Sequence, residues 1–170
     1  MNLDAYIRDI PDFPKPGIMF KDITPLLGNA AALRASISSL SEPYACQSID
    51  AIVGIESRGF IFGAAVAHEL NKGFIPIRKP GKLPADVLSV SYALEYGEDT
   101  VEIHRDALTA GQSVVIMDDV LATGGTMAAA CELVEKTGAD VVGLAFLVEL
   151  GFLEGRAKLG DHTIHSVLTY

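Results

Sequence analysis

The chain has 170 residues, with 13 Lys and Arg against 22 Asp and Glu, a net charge of −9. Hydrophobic residues make up 49% and charged residues 21%, which suits one soluble globular domain with its own core and excludes a disordered chain or a disulfide-stapled mini-protein. The acidic balance also argues against a nucleic acid partner, which needs a broad basic face, but leaves room for a small anion held in a local positive pocket.

The first residues carry Asp4, Arg8 and Asp9 where a secretory leader would need an apolar run, and no later stretch is long and apolar enough to span a bilayer. Cys46 and Cys131 stand far apart with no neighbouring thiol, a spacing that suits two free thiols in a reducing cytoplasm. No membrane partner is expected.

Leu3 to Arg8 reads as a short amphipathic helix. Pro11, Pro14, Pro16 and Pro25 then argue against regular structure, because each lacks an amide donor and turns its predecessor from helix. Phe13, Ile18, Met19, Phe20 and Ile23 make this stretch apolar as well, so it reads either as chain packed on the core or as a lid over a flat ligand. Helices are predicted over 30–40, with Leu33, Ile37 and Leu40 on one stripe, and over 59–71, with Phe60, Ala64 and Ala67 on one side. Buried strands are predicted over 50–55, 74–77, 112–119 and 139–149, and a further helix over 126–137. Strands alternating with helices define an α/β domain with a mostly parallel sheet. Val87 to Tyr96 alternates instead, with Leu88, Val90, Tyr92, Leu94 and Tyr96 on one face and Glu95 on the other, the pattern of a half-exposed strand in an antiparallel flap.

The run from Val114 to Thr126 carries the most chemistry. An apolar strand ends in Asp118 and Asp119, small residues and the pair Gly124-Gly125 follow, and a helix begins at Thr126. Ligands of open α/β sheets bind beyond the carboxyl ends of the strands. Successive amides of Ala122, Thr123, Gly124, Gly125 and Thr126 at a helix start can surround a phosphate, and the helix dipole favours the anion. The two carboxylates suit vicinal sugar hydroxyls, so phosphate and acids together fit a ribose 5-phosphate. Neither the Gly-Lys-Ser/Thr ending of a P-loop nor a G-x-G-x-x-G fingerprint is present here. A second anion site is suggested by 70–85, which contains Lys72, Arg78, Lys79 and Lys82 and no acid, and by Arg58 at the start of a helix. His68, His104, His162 and His165 read as packing or surface residues, and no cluster has the spacing of a transition-metal site.

The 114–126 segment resembles the phosphoribosyl pyrophosphate motif of the type I phosphoribosyltransferases. The stretches 12–27, 56–60 (Glu-Ser-Arg-Gly-Phe), 78–84 (Arg-Lys-Pro-Gly-Lys-Leu-Pro) and 94–97 (Leu-Glu-Tyr-Gly) resemble the adenine-using branch of that family. The resemblance implies an open, mostly parallel twisted sheet flanked by helices. It implies one domain over 1–170, with a small hood built largely from 1–28 and the C-terminal segment and an antiparallel catalytic flap over about 83–105. The implied activity is a pentosyl transfer of purine salvage, in which adenine and 5-phosphoribosyl 1-pyrophosphate give AMP and pyrophosphate.

The same resemblance assigns roles. Phe20 and Val120 would sandwich adenine, with backbone groups of Met19 and Lys21 at its polar edge. Asp118, Asp119 and the 122–126 loop would hold ribose 5-phosphate. Glu56, Ser57, Arg58, Arg78, Lys79 and Lys82 would form the pyrophosphate side, with a non-proline cis peptide between Glu56 and Ser57. Glu95 would be the acid/base near N7 and Tyr96 would close over the reacting centre. Mg2+ would arrive with phosphoribosyl pyrophosphate, held mainly by substrate oxygens and water rather than by a protein cage. The resemblance also implies a homodimer. Transfer to a 6-oxo purine, or a non-catalytic regulator that senses phosphoribosyl pyrophosphate, remain as alternatives.

Overall fold

The computed structural model describes residues 1–93 and 97–170. At its centre five strands run parallel: β3 (Ala51–Ile55), β4 (Gly73–Ile77), β7 (Ser113–Leu121), β8 (Asp140–Glu149) and β9 (Ile164–Thr169). Their order is β4-β3-β7-β8-β9, which puts β7 in the middle. Two antiparallel pairs stand apart from this sheet, β1 (Arg8–Pro11) with β2 (Met19–Asp22), and β5 (Val87–Ala93) with β6 (Glu98–His104). Among the described residues four α-helices complete the fold: α1 (Thr24–Leu27), α2 (Ala30–Ser41), α3 (Gly59–Glu69) and α4 (Gly125–Lys136).

Alternation along the central strands divides the core in two. Val53, Ile55, Val114, Ile116, Leu144 and Phe146 face α4, β5 and β6, while Ile52, Val115, Met117, Ala145 and Leu147 face α1, α2 and α3. A strand covered on both faces must be apolar on both, which is why 114–117 reads as an unbroken hydrophobic run. The two layers place every crossover helix against the sheet and leave the loops after β3 and β7 together at one end.

Several local features depart from the sequence reading. The N-terminal helix is a single 3-10 turn, Asp4–Tyr6, after which Ile7 is extended and Arg8 opens β1. The proline-rich stretch forms a β ribbon rather than irregular chain. It tolerates its prolines because Pro11 ends β1, Pro14 and Pro16 lie in the connection, and Pro25 sits in the first turn of α1, where an amide has no partner to lose. The Phe13–Pro14 bond is cis. Helix α3 buries Phe62, Gly63, Val66 and Ala67, so of the expected stripe Phe60, Ala64 and Ala67 only Ala67 faces the core, and the buried face is rotated around the helix from the one expected. Strand β4 is an edge strand, so Phe74, Ile75 and Pro76 are only half-buried. The other predicted elements begin and end within a few residues of expectation, while β6 and β9 have no predicted bounds and β9, in the C-terminal segment, joins the edge of the central sheet. Asn29 caps α2, its Oδ1 accepting from the amides of Ala31 and Ala32 at 3.1 and 3.0 Å.

Candidate active site

Strand β7 carries Asp118 and Asp119 near its C-terminal end, on the edge of the core. Beyond it Gly124 has φ +79°, a left-handed conformation that turns the chain into α4, and no side chain among the described residues caps that helix start. The loop and Asp118 line a recess of about 50 Å3 that also includes Val120, Thr123, Gly124, Gly125 and Thr126. The first-turn amides and the positive end of the α4 dipole make this a ready seat for an anion.

The acids are strained electrostatically. The Asp119 amide donates to Asp118 Oδ1 at 2.8 Å, fixing the Asp118 side chain against the main chain of its neighbour. Burial, and then the neighbouring charge of Asp119, push the Asp118 carboxyl well above the ordinary range. Burial also raises Asp119, against the opposing pull of Arg58. Arg58 Nε comes within 2.8 Å of Asp119 Oδ2, but no aligned hydrogen bond reaches that buried oxygen. The same guanidinium stands 5.3 Å from the centroid of the Phe20 ring.

The loop after β3 contains the expected cis peptide between Glu56 and Ser57. Glu56 gathers the basic segment: its Oε2 accepts from Arg78 Nε at 3.0 Å and from the Lys79 amide at 2.8 Å, while Lys82 Nζ donates to Oε1 at 2.5 Å. Burial opposes ionisation of Glu56, yet the hydrogen bonds from Lys82, the Lys79 amide and Arg78 outweigh it and hold the carboxyl below its usual range. Ser57 is exposed. Arg78 is tied to β6 by paired backbone hydrogen bonds with Glu102, at 2.9 and 2.8 Å. Lys79 Nζ ion-pairs with Asp99 and donates to the Tyr92 hydroxyl at 3.3 Å. That hydroxyl donates to Asp99 Oδ2 at 3.1 Å and accepts from Thr126 Oγ1 at 3.0 Å.

On the β1–β2 ribbon, Phe20 meets Phe13 edge to face with centroids 5.1 Å apart, beside a shallow apolar cavity that Ile10 also lines. Met19 is exposed, and Lys21 pairs with Asp9 at 2.6 Å while its Nζ sits 3.7 Å over the Tyr170 ring. Strand β2 pairs only with β1 among the described strands, so its other backbone edge is open. Val120 is half-buried at the α1–α3 side of the sheet. Glu95 and Tyr96 lie outside the described residues.

Arg58 thus joins Phe20 to the acid pair, and Tyr92 joins Lys79 to Thr126. Sequence reasoning did not single out Asp99, nor the Tyr92 hydroxyl as a junction; an acid and a tyrosine seven residues apart across an antiparallel pair gave no motif to notice. Among the described residues no group of three or more His, Cys, Asp or Glu could hold a metal ion, and no helix is long and apolar enough to cross a membrane.

Comparison with known proteins agrees with this geometry. Residues 21–165 match the family model of the phosphoribosyl transferase domain. The adenine phosphoribosyltransferase of Nitrosococcus oceani is 58% identical over 168 residues, covering 99% of this chain and 98% of that one. The crystal structure of adenine phosphoribosyltransferase from Thermoanaerobacter pseudethanolicus is 52% identical, with a TM-score of 0.96 over 99% of this chain and 98% of that one. The Saccharomyces cerevisiae enzyme, crystallised with D-2,5-dideoxy-2,5-imino-altritol 1,6-bisphosphate and adenine, is 42% identical with a TM-score of 0.92 over 97% of this chain and 96% of that one. The chain belongs to the phosphoribosyltransferase family, and within it to the adenine phosphoribosyltransferases.

Proposed function

We propose that the protein transfers phosphoribosyl from 5-phosphoribosyl 1-pyrophosphate to adenine, giving AMP and pyrophosphate. The observation that carries this reading is the acid pair of β7 set directly before an uncapped helix start, with Arg58 beside Asp119. The 5′-phosphate would seat on the amides of 122–126, and the ribose hydroxyls would meet Asp118 and Asp119. Adenine would lie between Phe20 and Val120, with the open edge of β2 at Met19 and Lys21 offering backbone groups to its polar rim.

The bond from the anomeric carbon to pyrophosphate breaks with oxocarbenium character, and N9 of adenine takes its place. Negative carboxylates on the sugar side and Arg58, Arg78, Lys79 and Lys82 on the leaving-group side match the charges that develop. Glu56 holds the side chains of Arg78 and Lys82 and the main-chain amide of Lys79, whose Nζ is paired with Asp99, so the leaving group meets cations already arranged in space. Ser57 would offer its group to the same anion. As N9 bonds to the anomeric carbon adenine gives up one proton, which Glu95 near N7 would take up or share, and Tyr96 would help exclude water when the flap, about 83–105, closes under the hood of 1–28.

A hard ion fits the donors present, since the carboxylates of Asp118 and Asp119 are oxygen ligands and one buried oxygen lacks an aligned donor. Asp118 and Asp119 would be the nearest protein acids to Mg2+, with substrate oxygens and water supplying the rest. When bound, the ion supplies positive charge against the pyrophosphate. The family reading also carries a homodimer and a cytoplasmic setting, in which the free thiols Cys46 and Cys131 stay reduced.

The test is Mg2+-dependent release of pyrophosphate from phosphoribosyl pyrophosphate with adenine, hypoxanthine, guanine and xanthine in turn. Release with adenine far above the 6-oxo purines is expected, because a site built for a 6-amino group leaves its partners mispaired with a carbonyl. Release with a 6-oxo purine instead, or with none of the four, would overturn the reading.

A further inference from the structure

The phosphate loop is backed by a segment that no motif of the sequence reaches. Strand β8 runs beside β7 until Glu149 lies opposite Leu121, and the chain then passes through two 3-10 turns, Gly151–Leu153 and Gly155–Lys158. At the second turn Gly155 presses against the loop. A Cβ built on Gly124 would stand 2.3 Å from the Gly155 carbonyl oxygen, and a Cβ on Gly155 would stand 2.2 Å from the carbonyl oxygen of Ala122. Both obstacles are main chain, so no side-chain rotation relieves them.

Gly155 is buried, and the residue after it is fastened. Arg156 Nε and Nη2 donate to Glu149 Oε1 and Oε2 at 2.6 and 2.7 Å, a two-pronged ion pair. Glu149 is 6% exposed and accepts a further hydrogen bond from Ser166 Oγ of β9 at 2.6 Å. The backing segment is therefore anchored to the end of β8 and, through Ser166, to the interior of β9, and the sheet in turn carries the acid pair. None of Glu149, Gly155 and Arg156 belongs to the set proposed to touch substrate.

We infer that Gly155, held in place by the Glu149–Arg156 pair, is a positioning residue that sets the curvature of the 122–126 loop and with it the grip on the 5′-phosphate. The inference rests on the proposed reading of that loop as the phosphate seat. Amides recognise an anion only when they converge on it, and displacement of one reacting or binding group by about 1 Å can cost on the order of 10²-fold.

The test compares the affinities of AMP and adenosine, by calorimetry, for the wild-type protein and for Gly155→Ala and Arg156→Lys. The lysine variant keeps the charge and loses the fork. The expected result is a fall of about tenfold or more in the preference for AMP over adenosine in Gly155→Ala, and a smaller fall in Arg156→Lys, with adenosine affinity held within about twofold. Simple destabilisation lowers the melting temperature but leaves that preference intact in the folded protein, and should Gly155→Ala not fold, Arg156→Lys decides alone. A wild-type preference retained in full by the folded variants would overturn the inference while sparing the phosphate seat. A wild-type protein indifferent to the phosphate would overturn the seat, and the inference with it.

Discussion

Arg58 Nε stands 2.8 Å from Asp119 Oδ2, yet that oxygen receives no aligned hydrogen bond. The pair is held by charge and proximity, and each partner keeps capacity for a ligand. A ribose hydroxyl can donate to the carboxylate while the guanidinium turns to an anion. Arg58→Gln removes the charge from both tasks. A hydrogen bond to a charged group contributes about 1.5–3 kcal/mol, so kcat/KM for phosphoribosyl pyrophosphate is expected to fall about 10- to 100-fold in steady-state assays at saturating adenine. A variant with unchanged kcat/KM would remove Arg58 from the pyrophosphate side.

Asp118 is a residue whose ionisation works against folding. Burial first and the charge of Asp119 second raise its folded value above the ordinary 3.8. Below that ordinary value both the folded and unfolded chains hold the proton and the carboxyl costs nothing. As pH rises past it the unfolded chain ionises first, so stability declines until the folded carboxyl also gives up its proton. Asp118→Asn keeps an oxygen for the Asp119 amide and deletes the charge. Its melting temperature is expected to exceed that of the wild-type protein by a few degrees at pH 7 and by less at pH 4, while activity drops. Calorimetric scans at the two pH values check this, and equal differences at both would contradict it.

Much of this arrangement is legible in the chain itself, and the reasons are physical. A strand covered on both faces has to be apolar throughout, so Val114 to Met117 announces the middle of the sheet. The acids and glycines that follow announce the ligand end, because phosphate binding needs bare amides and sugar binding needs acceptors. What is not legible depends on partners distant in sequence. The prolines between Pro11 and Pro25 suggested irregular chain, but each falls where a ribbon or helix start has no amide to satisfy. The buried face of α3 is rotated from the expected stripe, keeping only Ala67 of it, since a helix that is apolar nearly all round gives its periodicity little contrast. Gly155 and the Glu149–Arg156 pair escape notice because only the folded chain brings them behind the loop.

Tyr92 offers a separate test of the same site. Its hydroxyl meets Lys79, Asp99 and Thr126, while its ring lies 3.3 Å from where a Cβ of Gly125 would stand. Tyr92→Phe keeps the ring and deletes the junction. Each lost hydrogen bond is worth about 0.5–1.5 kcal/mol, so a rise of several-fold in KM for phosphoribosyl pyrophosphate is expected, with KM for adenine little changed. Comparable rises in both constants would point to general loosening rather than to a link between β5 and the phosphate loop.

Glu95 has the most direct chemical assignment and lies outside the described residues. As an acid/base it should contribute about 10²–10⁴-fold, so Glu95→Gln is expected to lower kcat by that range and to leave the affinities for adenine and phosphoribosyl pyrophosphate nearly unaltered. Single-turnover kinetics separate the two effects. A full-speed chemical step in the variant would take Glu95 out of the mechanism.

The seat of the 5′-phosphate is the claim on which the other assignments depend, and a crystal structure of the protein with AMP tests it most directly. Phosphate oxygens within hydrogen-bonding distance of the amides of 122–126, ribose hydroxyls at Asp118 and Asp119, and the purine against Phe20 are the expected arrangement. A nucleotide bound with its phosphate away from that loop would contradict it.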